Sequence, residues 1–503
     1  MLLPELVLGK LAAVAVLSPA VAFAALGAYL LLLRVPGERV ISRVVLSSIA
    51  ISFAASLVVW VSAVAAPYAF IPVELGHWFR TGDYDFDVIL LVDRLSATMM
   101  VLVSLIALVV GRFSVAYLHR EAGFARFFLL LAMFSTGMLA LVCAGSLDLL
   151  FAGWEVVGAT SVLLIAFFHE RDAPAAAAVR VYVTYRLCDI GLLAGAVLMH
   201  EYAHSSHFGD VFGGAAWPGP AVALDAGPAT ALALFLLLAA MGKSAQFPVG
   251  SWLPRAMEGP TPSSALFYGA ISVHAGVYLL LRAAPLLERS PVASAAVACV
   301  GALTAVYGTL VGRAQADVKS ALAHATMTQV GIMFVEIGLG FYRVALVHLC
   351  AHACLRCLQL LRAPSALRDA MEIRAAHAGD PLPHLGIAGR LLPARLLRRV
   401  YWLALERFHV EALQQRLVAA PVMRLGARID DLERRWLAVL SGWTERAAHD
   451  AHDAHDARDA RDAHDSDEPG APAPPPKVGV PVRRSAGDPR DPRDARDAKG
   501  LHP

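Results

Sequence analysis

An all-α, polytopic membrane protein of about 11 transmembrane helices is the fold class the sequence predicts. Three observations carry this. Of 503 residues, 57% are hydrophobic and only 17% charged, too few charges for a water-facing surface. Apolar runs of about 20 residues, the length that crosses a bilayer core, recur along the first 363 residues. The Lys and Arg residues between the runs also alternate in number from one connection to the next, as they do when one set faces the cytoplasm.

Taken in order, the runs lie at about 5–34, 41–66, 89–111, 125–145, 147–168, 176–200, 228–248, 263–284, 292–312, 322–341 and 343–363. The first is too long and too closely followed for a cleaved leader, although Ser18, Pro19 and Ala20 resemble a cleavage site. It reads as the first membrane helix. Asp93, in the third run, reads as an interface or capping residue. One set of alternate connections carries Arg34, Arg39, Arg43, Arg112, Arg120, Arg126, Arg171, Arg180, Arg255, Arg313 and Lys319, whereas the other carries Arg80, Arg282, Arg289 and Arg343. This asymmetry places the N-terminus outside and the C-terminus in the cytoplasm. The formal charge of +2 gives no information on partners. Membrane lipid is the expected surrounding, and no nucleic acid is expected.

Within the runs, ionisable residues are few. Glu155, on the fifth, has no cation of its own, and a carboxylate at membrane depth costs about 2.5–3.5 kcal/mol unless paired or hydrated. Its natural partner lies on another helix, and Lys243 is the candidate. Lys243 ends the seventh run just before Pro248, which cannot continue helix hydrogen bonding. A lysine at such a break is placed to exchange protons with water, and a change in its distance to Glu155 would switch it between holding and releasing a proton. The competing reading is a static ion pair. Arg186 and Asp189, at i, i+3 on the sixth run, favour a local salt bridge, with structural support as good a reading as transport. Glu336 has no evident partner.

A second polar line runs through the last spans. Lys319 opens the tenth, followed by His324, Thr326, Thr328 and Gln329. On the eleventh, His348, His352 and Arg356 point to about 0°, 40° and 80°, whereas Cys350, Cys354 and Cys357 lie at about 180° to 240°. The two sets occupy different faces, so no metal site is expected on this helix. All six cysteines read as buried apolar thiols. Histidines relay protons near neutrality, while an arginine stays charged and acts as a fixed field or gate. The competing reading is polar side chains joining helices.

Beyond 363 the character changes twice. Residues 364–446 include an arginine-rich, amphipathic stretch suited to a membrane or partner surface. From 447 to 503 the repeats of Ala, His, Asp and Arg, then Pro, have little to bury and read as a disordered tail. Residues 1–363 are therefore the expected translocating domain.

The stretches GFARFF (123–128), LLFAGWEVVG (149–158), GKSAQFPVGSWLPRAMEGPTPSSAL (242–266), ADVKSALAHATMTQVG (316–331) and HLCAHACLR (348–356) resemble the antiporter-like membrane subunits of respiratory complex I and Mrp-type cation/proton antiporters, in the large subunit L or 5 branch. The resemblance implies an antiporter-like fold with a broken helix. It also implies that Glu155 and Lys243 are the central acid and lysine of a proton channel, with Lys319, His348 and His352 on its axis. By their own chemistry and placement, His324 joins the proton path and Arg186, Asp189, His274 and Arg356 read as gating or support.

There are departures. Tyr268 stands where the long respiratory subunits usually place a histidine, a histidine appears instead at His274, and Arg356 replaces a lysine. The second five-helix repeat reads as shortened. These features make the chain most similar to the DabB-type subunit of bacterial DAB inorganic carbon uptake complexes. That resemblance implies a bacterial inner membrane location and a large cytoplasmic DabA-type zinc partner similar to a β-carbonic anhydrase, with the chemistry on the partner's zinc. The chain itself then reads as a transporter subunit rather than an enzyme, with no cofactor or metal of its own. The alternatives are a proton-pumping subunit of a quinone reductase, an Mrp-type antiporter subunit, or a non-conducting scaffold.

Overall fold

The computed structural model describes residues 4–32, 35–65, 70–81, 84–213, 217–219, 224–315, 317–363 and 394–440. Each apolar run forms a helix: α1 (Glu5–Leu32), α2 (Glu38–Ala65), α3 (Arg94–Tyr117), α4 (Phe124–Val142), α5 (Leu147–Ile165), α6 (Asp172–Ala203), α7 (Ala226–Lys243), α8 (Thr261–Arg282), α9 (Pro291–Ala314), α10 (Val318–Gly338) and α11 (Tyr342–Leu361). Among the described residues, ten are long and apolar enough to cross a membrane. The other, α10, has 21 residues, roughly 31 Å at 1.5 Å per residue. Lys319, His324, Gln329 and Glu336 lower its apolarity.

The helices turn apolar side chains outward and polar ones inward, the arrangement expected when lipid is the outer solvent. On α6, Leu187, Ile190, Leu193 and Val197 are exposed while Asp189 is buried. Helices α9 and α10 pack backbone to backbone. A Cβ on Gly301 would meet the Gly331 carbonyl at 2.5 Å, and one on Gly331 would meet the Gly301 carbonyl at 2.6 Å, so only glycine permits this approach. The thiols are less uniformly buried than the sequence suggests. Cys143, Cys188 and Cys357 are buried, but Cys299 and Cys354 are exposed, because the apolar surface that holds them faces outward.

The third run is corrected at its start. Residues 84–92 form a strand, β2 (Tyr84–Val92), antiparallel to β1 (Ile71–Thr81). An apolar stretch of five, Val88–Val92, cannot be told from helix by periodicity. Here it is claimed by pairing: Leu91 N–H donates to Cys143 O at 2.7 Å and Gly145 N–H to Ile89 O at 2.8 Å. Asp93 then caps α3, its side chain accepting from Ser96 N at 2.7 Å in a capping box. The same carboxylate takes a bidentate ion pair from Arg282 at the end of α8, with Nη2 to Oδ1 at 3.2 Å.

Every residue of α8 is buried, and it is not one regular helix. A π-helical stretch, Ser264–Ala270, is followed by a tight 3-10 turn, Ser272–His274, and then by regular α-helix from Ala275. Interruptions of this kind at membrane depth are tolerated where other polar groups surround the freed backbone.

After α11 come α12 (Ala394–Leu405), α13 (Val410–Gln414) and α14 (Ala420–Leu440). A second compact unit begins at Leu425. Its described part is an exposed helix with i, i+4 pairs Asp430–Arg434 and Asp431–Arg435. Residues 364–393 and the tail from 447 lie outside the described residues.

Candidate functional site

Lys243 is the last residue of α7 and is 1% exposed. Its ammonium donates to the Trp154 carbonyl at 3.1 Å and lies 4.8 Å from the Trp154 ring and 4.5 Å from the Tyr185 ring. Two aromatic faces and a carbonyl replace hydration. Gly158 makes the space: a Cβ there would lie 3.1 Å from Lys243 Nζ and 3.5 Å from Arg186 Nη2.

The expected pairing of Lys243 with Glu155 is also corrected. Arg186 Nη1 binds Glu155 Oε2, and Nη2 binds Asp189 Oδ2 at 2.8 Å. The i, i+3 bridge is therefore present, but the guanidinium fork extends it to Glu155 on α5, which the longer reach and planar geometry of arginine allow. Trp154 Nε1 donates to Asp189 Oδ1 at 2.6 Å. Sequence reasoning missed Trp154, although an indole N–H inside a membrane helix needs an acceptor. With all four groups ionised, two carboxylates balance Arg186 and Lys243. Loss of the lysine proton leaves the cluster one charge negative. Glu155 Oε1 and Arg186 Nε are buried without a partner among the described residues.

A second cluster joins α8, α10 and α11. His348 Nδ1 lies 3.0 Å from Glu336 Oε1, and its Nε2 lies 3.0 Å from Gln329 Oε1. This supplies the partner that the sequence did not reveal for Glu336. His352 Nδ1 lies 2.9 Å from His274 Nε2, and Arg356 Nη2 lies 3.4 Å from His352 Nε2. The 100° reading of α11 thus placed His348, His352 and Arg356 on one face, and the structure brings His274 onto it. His324 is elsewhere: its Nδ1 meets the Ser320 carbonyl at 2.8 Å and its ring faces Tyr307 at 6.4 Å. Lys319 is half-buried one turn before it.

Past the end of α7, three arginines converge on Glu411. Its carboxylate accepts from Arg180 at 2.6 Å, Arg255 at 2.7 Å and Arg407 at 2.7 Å. Gln414 bonds Ser251 and, at 3.0 Å, the Pro248 carbonyl. Burial alone raises the Glu411 carboxyl, but the hydrogen bond from Arg255 and the charges of Arg255, Arg407 and Arg180 outweigh it and hold the pKa below its ordinary value. A lowered carboxylate pKa contributes stability that is full above the ordinary value of 4.5 and is lost as pH falls through the folded value. Acidification below that range is expected to release residues 407–414. Glu411→Gln is expected to release them already at neutral pH, with no further dependence on acid. Reaction of a cysteine placed at Ser251 with a water-soluble maleimide measures both.

A family model described as NADH:quinone oxidoreductase/Mrp antiporter, TM, matches residues 144–380, and one described as NADH-Ubiquinone oxidoreductase (complex I), chain 5 N-terminus, matches residues 78–128. These two regions are similar to the complex I and Mrp antiporter-like subunits. Relatives include NADH-quinone oxidoreductase subunit L of Rhodobacter capsulatus, 37% identical over 63% of this chain and 46% of the relative. Subunit L of Campylobacter jejuni is 38% identical over 60% of this chain and 50% of the relative. The chain therefore spans about half the length of these curated relatives. Among solved structures, that of the Mrp complex from a Dietzia species superposes with a TM-score of 0.58 at 28% identity, covering 71% of this chain and 36% of the matched one. The antiporter-like match, residues 144–380, includes all ten candidate site residues.

Proposed function

We propose that this chain translocates protons as the antiporter-like subunit of a multisubunit membrane complex in a bacterial inner membrane, N-terminus outside. The observation that carries the reading is Lys243, a buried ammonium held by a carbonyl and two aromatic faces beside the Glu155–Arg186–Asp189 network. A purely structural lysine gains most from a direct carboxylate, and that position is occupied by Arg186. When Arg186 leaves Glu155, the freed carboxylate attracts the Lys243 proton. When Arg186 returns, the lysine is left facing a second cation across Gly158 and releases it. The mechanism thus alternates Arg186 and Lys243 as partners of one carboxylate. Glu336, His348, His352 and His274 extend the polar line from this centre.

Proton uptake by proteoliposomes carrying the complex purified through this chain tests the reading. Glu155→Gln keeps the shape of the side chain but removes the alternating charge, and is expected to lower gradient-driven uptake at least about tenfold. Unchanged uptake in that variant contradicts the mechanism. A requirement for Na+ on the opposite side identifies the cation/proton antiporter form.

A second, finer reading is an inorganic carbon uptake subunit that energises a DabA-type zinc partner. What supports it is that His274 and Arg356, two departures from the long respiratory subunits, meet on His352. In a carbonic-anhydrase-deficient bacterium, restored growth in air with the neighbouring large gene supports this reading, and failure to restore growth favours the quinone reductase or antiporter form.

A further inference from the structure

Residues 407–414, between α12 and α14, lie across the break that follows Lys243. Glu411 is held by Arg180 of α6, by Arg255 beyond the break and by Arg407 of its own segment. Gln414 bonds Ser251 and the Pro248 carbonyl. At the other end, Phe408 packs on Tyr307 at 6.1 Å between ring centres, and Arg407 Nη2 donates to Gln315 Oε1 at 3.3 Å. The main chain opposes this docking. Arg407, Phe408 and His409 have φ of 52°, 53° and 56°, three consecutive left-handed residues in which Cβ crowds the following carbonyl. The segment is held by its side chains and strained in its backbone, so two opposing terms set whether it stays docked.

What it covers lies close to Lys243. Gln414, Gln415 and Ala419 close one side of a cavity of about 40 Å³ whose other walls include Thr184, Cys188 and Val249, room for about three waters. Cys188 abuts Gly242, where an added Cβ would lie 2.3 Å from Cys188 Cβ. Ser251, held by Gln414, is followed by Trp252, whose Nε1 donates to the Gly242 carbonyl at 3.0 Å and whose ring packs on Tyr185 at 5.0 Å. Gly242 and the Tyr185–Trp252 pair therefore stand between the cavity and the Lys243 ammonium, and the segment anchors that layer through Ser251.

We propose that residues 407–414 are a latch that closes the cytoplasmic approach to Lys243, an inference that rests on the proton-translocating reading and its orientation and deepens it. When Glu411 leaves Arg180 and Arg255, the left-handed turn relaxes and Gln414 withdraws from Ser251 and the Pro248 carbonyl. The cavity then opens to the cytoplasm beside Gly242, and the turn carrying Trp252 loses its outer support. Lys243 thereby gains contact with cytoplasmic water.

The test labels the assembled complex in inverted membrane vesicles with a water-soluble methanethiosulfonate, each cysteine being resolved by mass spectrometry. Glu411→Lys faces the arginines with a like charge, and Ser251→Cys reports whether the segment has left. In Glu411→Lys, labelling of Lys243→Cys is expected to quicken at least about tenfold, since the charge-assisted bonds that hold the latch are gone. Native Cys188 gives the same reading should Lys243→Cys fail to assemble. A Ser251→Cys that reacts faster while Lys243→Cys and Cys188 do not overturns the proposal. A Ser251→Cys that stays slow in both Glu411→Lys and Glu411→Gln overturns it as well, because Glu411 then holds nothing closed. In proteoliposomes, initial proton uptake is expected to rise in Glu411→Lys and to lose that gain when Lys243→Ala is added; a gain that survives is a leak elsewhere and contradicts the latch. If Lys243→Ala alone leaves uptake intact, the translocating reading fails, and the labelling still decides the latch.

Discussion

Lys243→Ala is expected to lower proton uptake by about a hundredfold or more, the scale on which removal of a positioned proton carrier acts, while leaving the complex assembled. The side chain makes one hydrogen bond, to the Trp154 carbonyl, and two cation–aromatic contacts. That carbonyl remains within α5, and the rings still pack, Tyr185 against Trp252 at 5.0 Å. What the alanine removes is a group that can lose a proton inside a network of fixed charge. Arg186, Glu155 and Asp189 remain, but arginine does not titrate, and two carboxylates around one guanidinium have no path to Tyr185 and α8. The readout is initial uptake after an imposed gradient, corrected for complex content.

Arg282→Gln is expected to destabilise the fold by roughly 3–5 kcal/mol, the cost of leaving a buried charge without its partner. Arg282 and Asp93 have side chains 5% and 2% exposed. The guanidinium binds the carboxylate in two places and also donates to Tyr278 Oη at 3.3 Å. Asp93 simultaneously caps α3. Without Arg282, the carboxylate keeps its bond from Ser96 but loses its counter-charge, and the end of α8 parts from the start of α3. The second substitution Asp93→Asn removes the stranded charge, so the double variant is expected to recover part of the loss. Thermal unfolding in detergent, followed by tryptophan fluorescence, orders the three proteins: wild type, double variant, Arg282→Gln. Because the pair lies away from Lys243, assembled Arg282→Gln protein is expected to retain uptake.

The sequence made the helices legible because hydrophobic length and a 3.6-residue period are local properties. They located all eleven runs, Asp93 as a capping residue, the Arg186–Asp189 bridge and the common face of His348, His352 and Arg356. Pairings across helices were not legible. Glu155 has no cation on its own helix and was paired with Lys243, whereas the packing of α5 on α6 gives it Arg186. Glu336 found His348 for the same reason. The strand at 84–92 was hidden because Val88–Val92 is as apolar as the start of a membrane helix, and only Asp93 and Arg94 separate it from the apolar part of α3. His274 could not be placed by counting at 100° per residue, since the π-helical and 3-10 turns of α8 change the angle per residue just before it. The family motifs carried the antiporter-like resemblance further than residue chemistry alone, but that His274 meets His352 became visible only in the fold.

The central claim is that Lys243 works by gaining and losing a proton, and Lys243→Arg tests it most directly. Arginine preserves the positive charge and can still donate to the Trp154 carbonyl, but it cannot release its proton. In proteoliposomes carrying the assembled complex, the account predicts that Lys243→Arg conducts as poorly as Lys243→Ala. Proton uptake by Lys243→Arg at the wild-type rate would contradict it, and would reduce Lys243 to a fixed charge beside the Glu155 network.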